Sequence, residues 1–336
     1  MPDRALHRTR IALQISDFTY PGVAPGQLFE RVVAQAVAAE QSGFDTVFVM
    51  DHFFQLPNNG RPEQEMFEAY TLLAALAART SAVRLGTLVT GVTYRTPALL
   101  AKEVTAVDVI SRGRALLGIG AAWFEYEHKA LGFEYPPLTE RYEHLVDALA
   151  ICRGMFTQAT TTYTGAHHSV VDAFNMPAPI NGDIPIMIGG QGEKKTFRLA
   201  AEHADELNTP ATFRDMPRKL DALQGHLDDI GRPREDITVT PFVYVITAPT
   251  HDQAVEKLRT SLATRGIDLD TVIADGGAAE QQVLGRAIYG DPDECVAGVR
   301  DVLALGLDGV VVSLTADGDD TEAIAMVGET LAKAFV

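Results

Sequence analysis

Short apolar runs alternate with amphipathic stretches eight times along this chain, and that alternation restricts the fold more than any other property of the sequence. The runs at residues 10–15, 44–50, 84–89, 114–119, 184–188, 205–208, 237–247 and 308–314 read as strands. The stretches at 27–42, 67–80, 97–111, 138–156, 193–203, 214–230, 291–305 and 321–334 repeat apolar residues at helical spacing and read as helices. Residues 44–50 are solidly apolar, as a strand covered on both faces should be. A repeated strand–helix unit predicts a parallel sheet. Eight such units predict a closed (β/α)8 TIM barrel.

The placement of glycine supports closure. An open doubly wound sheet usually carries its glycine-rich phosphate turn after the first strand. Here the first strand leads into Asp17-Phe18-Thr19-Tyr20-Pro21-Gly22, which lacks that fingerprint. The glycine turn, Gly189-Gly190-Gln191-Gly192-Glu193-Lys194, follows the fifth strand instead. Glycines let the backbone pass close to a ligand, and the first amides of the next helix suit a phosphate or carboxylate. The chain reads as a single barrel domain over residues 1–336 with insertions at about 157–183 and 248–290. The first insertion looks like a β-hairpin and loop. The second has a helix-like part (252–265) and a flexible part at Asp275-Gly276-Gly277.

Composition removes several function classes. A formal net charge of -17 over 336 residues repels nucleic acid and anionic membranes, and no basic run offsets it. No apolar run reaches the length of a membrane span. Residues 1–10 are polar and basic, without the apolar core of a signal peptide, so a cytoplasmic protein is expected. Cys152 and Cys295 lie too far apart in sequence for a metal or redox motif and read as buried thiols.

Barrel chemistry sits at the C-terminal ends of the strands. After strand two stands Asp51-His52. His52 could exchange a proton near neutral pH, or the aspartate could cap the loop and orient the ring. After strand three come Leu88, Val89 and Thr90, small or branched residues suited to lie beneath a planar ring, with Tyr94 and Arg95 able to reach an anion at the rim. After strand four, Gly120 and Ala121 form a second close-approach turn, followed by Trp123, the only tryptophan. Glu125, Glu127 and His128 follow no known ligand spacing, and at least two of them read as helix-surface charge. His167-His168 reads as a solvent-facing pair in the hairpin. No metal is expected. With no nucleophile elbow and no phosphate loop of the nucleotide-hydrolase kind, the hard chemistry falls to a bound cofactor.

Taken in order, the mouth residues resemble the luciferase-like monooxygenase superfamily, and within it the branch that uses the deazaflavin coenzyme F420. The resemblance rests on Ala39-Glu40-Gln41-Ser42-Gly43-Phe44-Asp45, Val49-Met50-Asp51-His52-Phe53, Arg84-Leu85-Gly86-Thr87 and Leu100-Ala101-Lys102-Glu103. It continues in Asp108-Val109-Ile110-Ser111-Arg112-Gly113-Arg114, Leu117-Gly118-Ile119-Gly120-Ala121-Ala122-Trp123 and Ile188-Gly189-Gly190-Gln191-Gly192-Glu193-Lys194. It implies a barrel that binds F420, or alternatively FMN, at its mouth and transfers a hydride between the deazaflavin C5 and a small organic substrate. It implies His52 as catalytic proton donor and a non-prolyl cis peptide near Leu88-Val89. Cofactor contacts would come from Asp51, His52, Leu88, Val89, Thr90, Gly120, Ala121, Trp123 and Gly189 to Lys194. Trp123, Tyr94 and the two insertions would shape the substrate pocket. A homodimer is the expected assembly. The sugar-phosphate dehydrogenases of the family carry a tryptophan where this chain has Leu56 and an acidic residue where it has Trp123, which argues against a sugar phosphate as substrate. An FMN-dependent monooxygenase and a non-catalytic accessory barrel are the rival readings.

Overall fold

The computed structural model describes residues 8–57, 59–314 and 316–335. Most of the basic leading segment lies outside them. The strands are β1 (Ile11–Ile15), β2 (Thr46–Val49), β3 (Arg84–Thr87), β4 (Thr90–Gly91), β5 (Ala115–Gly120), β6 (Thr161–Thr164), β7 (Ser169–Ala173), β8 (Ile186–Gly189), β9 (Glu206–Thr209), β10 (Thr238–Thr247), β11 (Ala287–Gly290) and β12 (Val310–Ser313). Eight of them close a ring of parallel pairs in the order β1-β2-β3-β5-β8-β9-β10-β12 and back to β1. The ring closes through the β9–β10 pairing, in which Leu207 lies beside Val239. Each of the eight ring strands falls within one of the eight apolar runs, apart from one terminal residue of β5, β8 and β9. The barrel expected from the alternation is the barrel that forms.

Alternation along each strand divides the core in two. Leu13, Val47, Leu85, Leu117, Ile188 and Val312 belong to the larger apolar set, packed with residues of the surrounding helices such as Val32, Leu73, Val104 and Val327. Their strand neighbours Ala12, Phe48, Leu116, Met187 and Val311 form a separate small set that fills the barrel interior. At the N-terminal end the interior turns polar. Arg84 donates to Glu206 at 2.9 Å and to Thr9 at 3.2 Å, and all three are buried. Breaking a buried ion pair leaves one charge uncompensated. Arg84→Met is therefore expected to lower unfolding free energy by about 3 to 5 kcal/mol, read as a fall in the urea midpoint. A change below about 1 kcal/mol would mean that Glu206 is hydrated from the barrel floor.

The structure departs from the sequence reading in the second insertion and beside β5. The first insertion contains the expected antiparallel hairpin, β6–β7. In the second, two short helices not read from the sequence, Leu269–Asp275 and Gly277–Leu284, flank the Asp275-Gly276-Gly277 stretch read as flexible and join at Gly276 with a φ of 59°. Beyond them β11, absent from the sequence reading, adds a parallel strand to the outer edge of β10. Its four residues are too few to show a period of their own. The helix Glu125–Leu131, implied by the helix-surface reading of its charges, adds to the eight helical ranges, and the helix after the glycine turn begins at Thr196 rather than at Glu193. No helix among the described residues is long and apolar enough to cross a membrane.

Candidate active site

The C-terminal ends of the strands surround a cavity of about 550 Å³. Its wall is set by a backbone irregularity after β3, where the Leu88-Val89 peptide is cis and Gln14 donates to the Leu88 carbonyl at 3.2 Å. Glycines on the adjoining strands make room for that bulge. A Cβ on Gly118 would stand 1.9 Å from the Thr87 carbonyl oxygen, and one on Gly189 would stand 2.8 Å from both methyls of Val89. The glycines of β5 and β8 thus serve close backbone packing, the general reason for glycine inside a strand.

His52 lines this cavity, and a carboxylate seven residues beyond the end of β5 fixes its ring. Glu127 Oε2 lies 3.0 Å from His52 Nδ1 and accepts from the Tyr94 hydroxyl at 2.5 Å. Glu127 Oε1 accepts from the amides of Phe53 and, at 2.9 Å, Phe54. The carboxylate is fully buried. Burial pushes its pKa up, but the hydrogen bonds and the imidazole outweigh burial and hold Glu127 below the usual carboxylate range. An ionised Glu127 can only accept, so His52 carries its proton on Nδ1 and Nε2 is the nitrogen left for the cavity. Burial and then the neighbouring Glu127 push the Tyr94 hydroxyl well above its usual value, so it remains a donor.

These contacts revise several sequence-based expectations. Of Glu125, Glu127 and His128, only Glu125 is surface charge, paired with Lys129 at 2.8 Å. His128 is buried, stacked on Tyr94 at 4.8 Å between ring centres, with Nδ1 at 2.8 Å from the Phe124 carbonyl oxygen. The imidazole of His52 is oriented by Glu127 and not by Asp51. Asp51 sits beneath the site, where burial pushes its carboxyl up and the Arg95 fork opposes that at 2.6 and 3.1 Å. Arg95 also pairs with Glu68 and Glu103 and lies over the Tyr70 ring at 4.7 Å, so it is committed inward and reaches no anion at the rim.

Of the residues expected at a cofactor, His52, Leu88, Val89, Thr90, Gly120, Ala121, Trp123 and Gly189 to Gly192 line the cavity. Asp51, Glu193 and Lys194 do not. Glu193 turns outward to Lys219, at 2.9 Å, and to Arg218, and Lys194 is exposed. The turn itself is built for close approach. Gly190 has a φ of 149°, which side chains other than hydrogen rarely tolerate, and its amide donates to the Asn208 carbonyl at 3.0 Å. Two hydroxyls missed in the sequence, Tyr142 and Thr196, meet at 2.7 Å on the cavity wall beside Gly192. Lys195 lies over the Tyr142 ring at 5.2 Å. Trp123 stands at the rim, 58% exposed, with its ring edge-on to His52 at 5.8 Å. Arg286, in the second insertion, lines the cavity and lies over Phe242 and Tyr244. The hairpin insertion contributes no lining residue.

Residues 12–309 match the family described as luciferase-like monooxygenase. The chain belongs to the luciferase-like monooxygenase family. Among curated members similar to it is an F420-dependent glucose-6-phosphate dehydrogenase from Microbacterium testaceum, 32% identical over 286 residues, 80% of this chain and 83% of the relative. A 5,10-methylenetetrahydromethanopterin reductase from Methanolobus tindarius is 26% identical over 330 residues, 90% and 95% of the two chains. The solved coenzyme F420 dependent tetrahydromethanopterin reductase from Methanopyrus kandleri superposes with a TM-score of 0.77 at 22% identity, covering 98% of this chain and 100% of that one. That likeness concerns the fold, a luciferase-like barrel closed by eight parallel strands. In this chain, Glu127 is the residue in contact with His52 that sequence reasoning left among possible surface charges. Its only sequence signal was two charged residues and a histidine packed into the turn after Trp123.

Proposed function

We propose that this F420-dependent oxidoreductase exchanges a hydride with a small organic substrate that enters between Trp123, Leu56 and Leu138, with His52 handling the accompanying proton. F420, when bound, supplies a planar deazaflavin whose C5 carries or accepts the hydride. The observation that carries the reading is a cavity-lining histidine whose Nδ1 is held by the buried Glu127 carboxylate, in a cavity walled by the Leu88-Val89 bulge.

The residues present fit such a group. The bulge offers a smooth apolar surface through Val89, made possible by Gly118, Gly120 and Gly189. The Gly190–Gly192 backbone and the Tyr142 and Thr196 hydroxyls supply polar contacts suited to a phosphate-bearing tail, with Lys195 adding positive charge nearby. Glu127 and Tyr94 hold His52 so that Nε2 can give or take a proton at the substrate. Trp123, Leu56, Met50 and Phe242 line the cavity with apolar surface, which would exclude water from the reacting atoms. Arg286 adds a positive charge for an electron-rich substrate group.

Cofactor titration tests the choice of redox group. Fluorescence titration is expected to give F420 a dissociation constant below about 1 μM, with FMN bound at least about 100-fold more weakly. The reverse order would favour an FMN-dependent monooxygenase. Tight F420 binding with no hydride exchange across a panel of alcohols, aldehydes and enones would favour an accessory barrel. A soluble homodimer is the assembly we propose, to be checked by light scattering.

A further inference from the structure

The long helix Leu138–Thr157 has two chemically distinct faces. Leu138, Tyr142 and Leu145 line the cavity. Glu140, His144 and Asp147 are about half a turn away and face the β6–β7 hairpin. The hairpin tip is fastened to this outer face by one buried carboxylate. Asp147 accepts from the amides of Ala166, His167 and His168 at 3.3, 2.7 and 2.9 Å and from the Tyr163 hydroxyl at 3.0 Å. The fit leaves no room for a side chain at position 165, because a Cβ on Gly165 would stand 2.0 Å from Asp147 Oδ1. The consequence of this clamp is that both hairpin histidines are pressed onto the helix. His167 stacks on His144 at 4.1 Å between ring centres, and His168 Nε2 lies 2.9 Å from His144 Nδ1. His168 is therefore not the solvent-facing residue expected from sequence.

We propose that Glu140, His144 and His167 form a binding site for a divalent transition-metal ion of the zinc, nickel or copper(II) type, pinning the hairpin to the outside of the barrel. The ligand atoms of these three residues all lie within 4.8 Å of one another. Glu140 and His144 are spaced i, i+4 on one helix, which points both toward a common ion. Two imidazoles and one carboxylate are the donor set that such ions prefer over magnesium or calcium. The contact between His144 Nδ1 and His168 Nε2 leaves His144 Nε2 for the metal, the arrangement in which an outer partner fixes a ligand's tautomer. Glu143 Oε2, at 2.9 Å from His167 Nε2, orients the second imidazole in the same way. Three protein ligands leave at least one position for water, so the ion is exchangeable. The site stands on the opposite face of the helix from the redox cavity and is independent of the function proposed above.

Isothermal titration of metal-stripped, tag-free full-length protein with zinc chloride tests the site. One equivalent is expected to bind with a dissociation constant of about 10 μM or tighter, together with a rise in thermal midpoint that chelation reverses. The double variant His144→Ala/His167→Ala should weaken zinc binding at least about 10-fold while F420 affinity is unchanged. Glu140→Gln, which removes one ligand and leaves both histidines and the hairpin contacts, should weaken it by a smaller factor. Absence of stoichiometric binding at 100-fold this concentration would overturn the proposal. So would unaltered zinc affinity in a correctly folded Glu140→Gln variant and in the double variant.

Discussion

Replacing His52 with alanine is expected to lower turnover by about 10²- to 10⁴-fold, the usual contribution of a positioned acid–base group, with F420 affinity changed by less than about threefold. The separation follows from the ring's surroundings. The ring is held by Glu127 and edged by Tyr94, Trp123 and Phe124. Removing it leaves the Leu88-Val89 bulge and the Gly189–Gly192 turn where they are, and these are the surfaces argued to hold the cofactor. Single-turnover kinetics at saturating cofactor give the first quantity, and equilibrium fluorescence gives the second. A variant that lost cofactor affinity and kept its turnover would remove His52 from proton transfer and make it part of the binding surface.

Glu127→Ala is expected to lower unfolding free energy by about 3 to 5 kcal/mol, among the largest effects available to a single substitution here. It leaves the amides of Phe53 and Phe54, the Tyr94 hydroxyl and His52 Nδ1 without their acceptor. Glu127→Gln is the better probe of function, because it retains one acceptor oxygen. It should slow turnover about 10-fold or more through loss of ring orientation while cofactor affinity stays within about threefold. Acid provides a separate readout. The folded-state pKa of Glu127 lies below the 4.5 of the unfolded chain. Its contribution to stability is therefore complete above the unfolded value and is lost as pH falls through the folded one. The stability gap between wild type and Glu127→Gln should be constant near neutrality and narrow progressively below about pH 4.5. An unchanged gap down to strongly acidic pH would mean that the carboxylate is not held ionised by its partners.

The sequence disclosed the scaffold and the cavity-lining backbone more readily than the group that orients His52, for a physical reason. Strands and helices announce themselves by local periodicity, so the eight ring strands were legible. Gly189 to Gly192 and Gly120 were legible because close approach demands glycine. Glu127 belongs to a short helix in which Glu125 pairs with Lys129 in the manner of any exposed surface. Its burial arises from loops more than 30 residues away that bring Phe53 and Tyr94 over it. The same holds for Arg95, which reads as a rim cation and proves to be saturated by Asp51, Glu68 and Glu103. Contacts assembled across several βα loops leave no periodic trace. Short β11 escaped notice because its pairing with β10 depends on tertiary proximity.

Glu127 ties three different loop regions into one unit, while Leu138 and Phe242 line the same cavity from other elements. The mouth is thereby modular. Substitution at those two positions is expected to retune which molecules are accepted, because the contacts that hold His52 do not include them. A library confined to those two positions leaves the Glu127 anchor untouched.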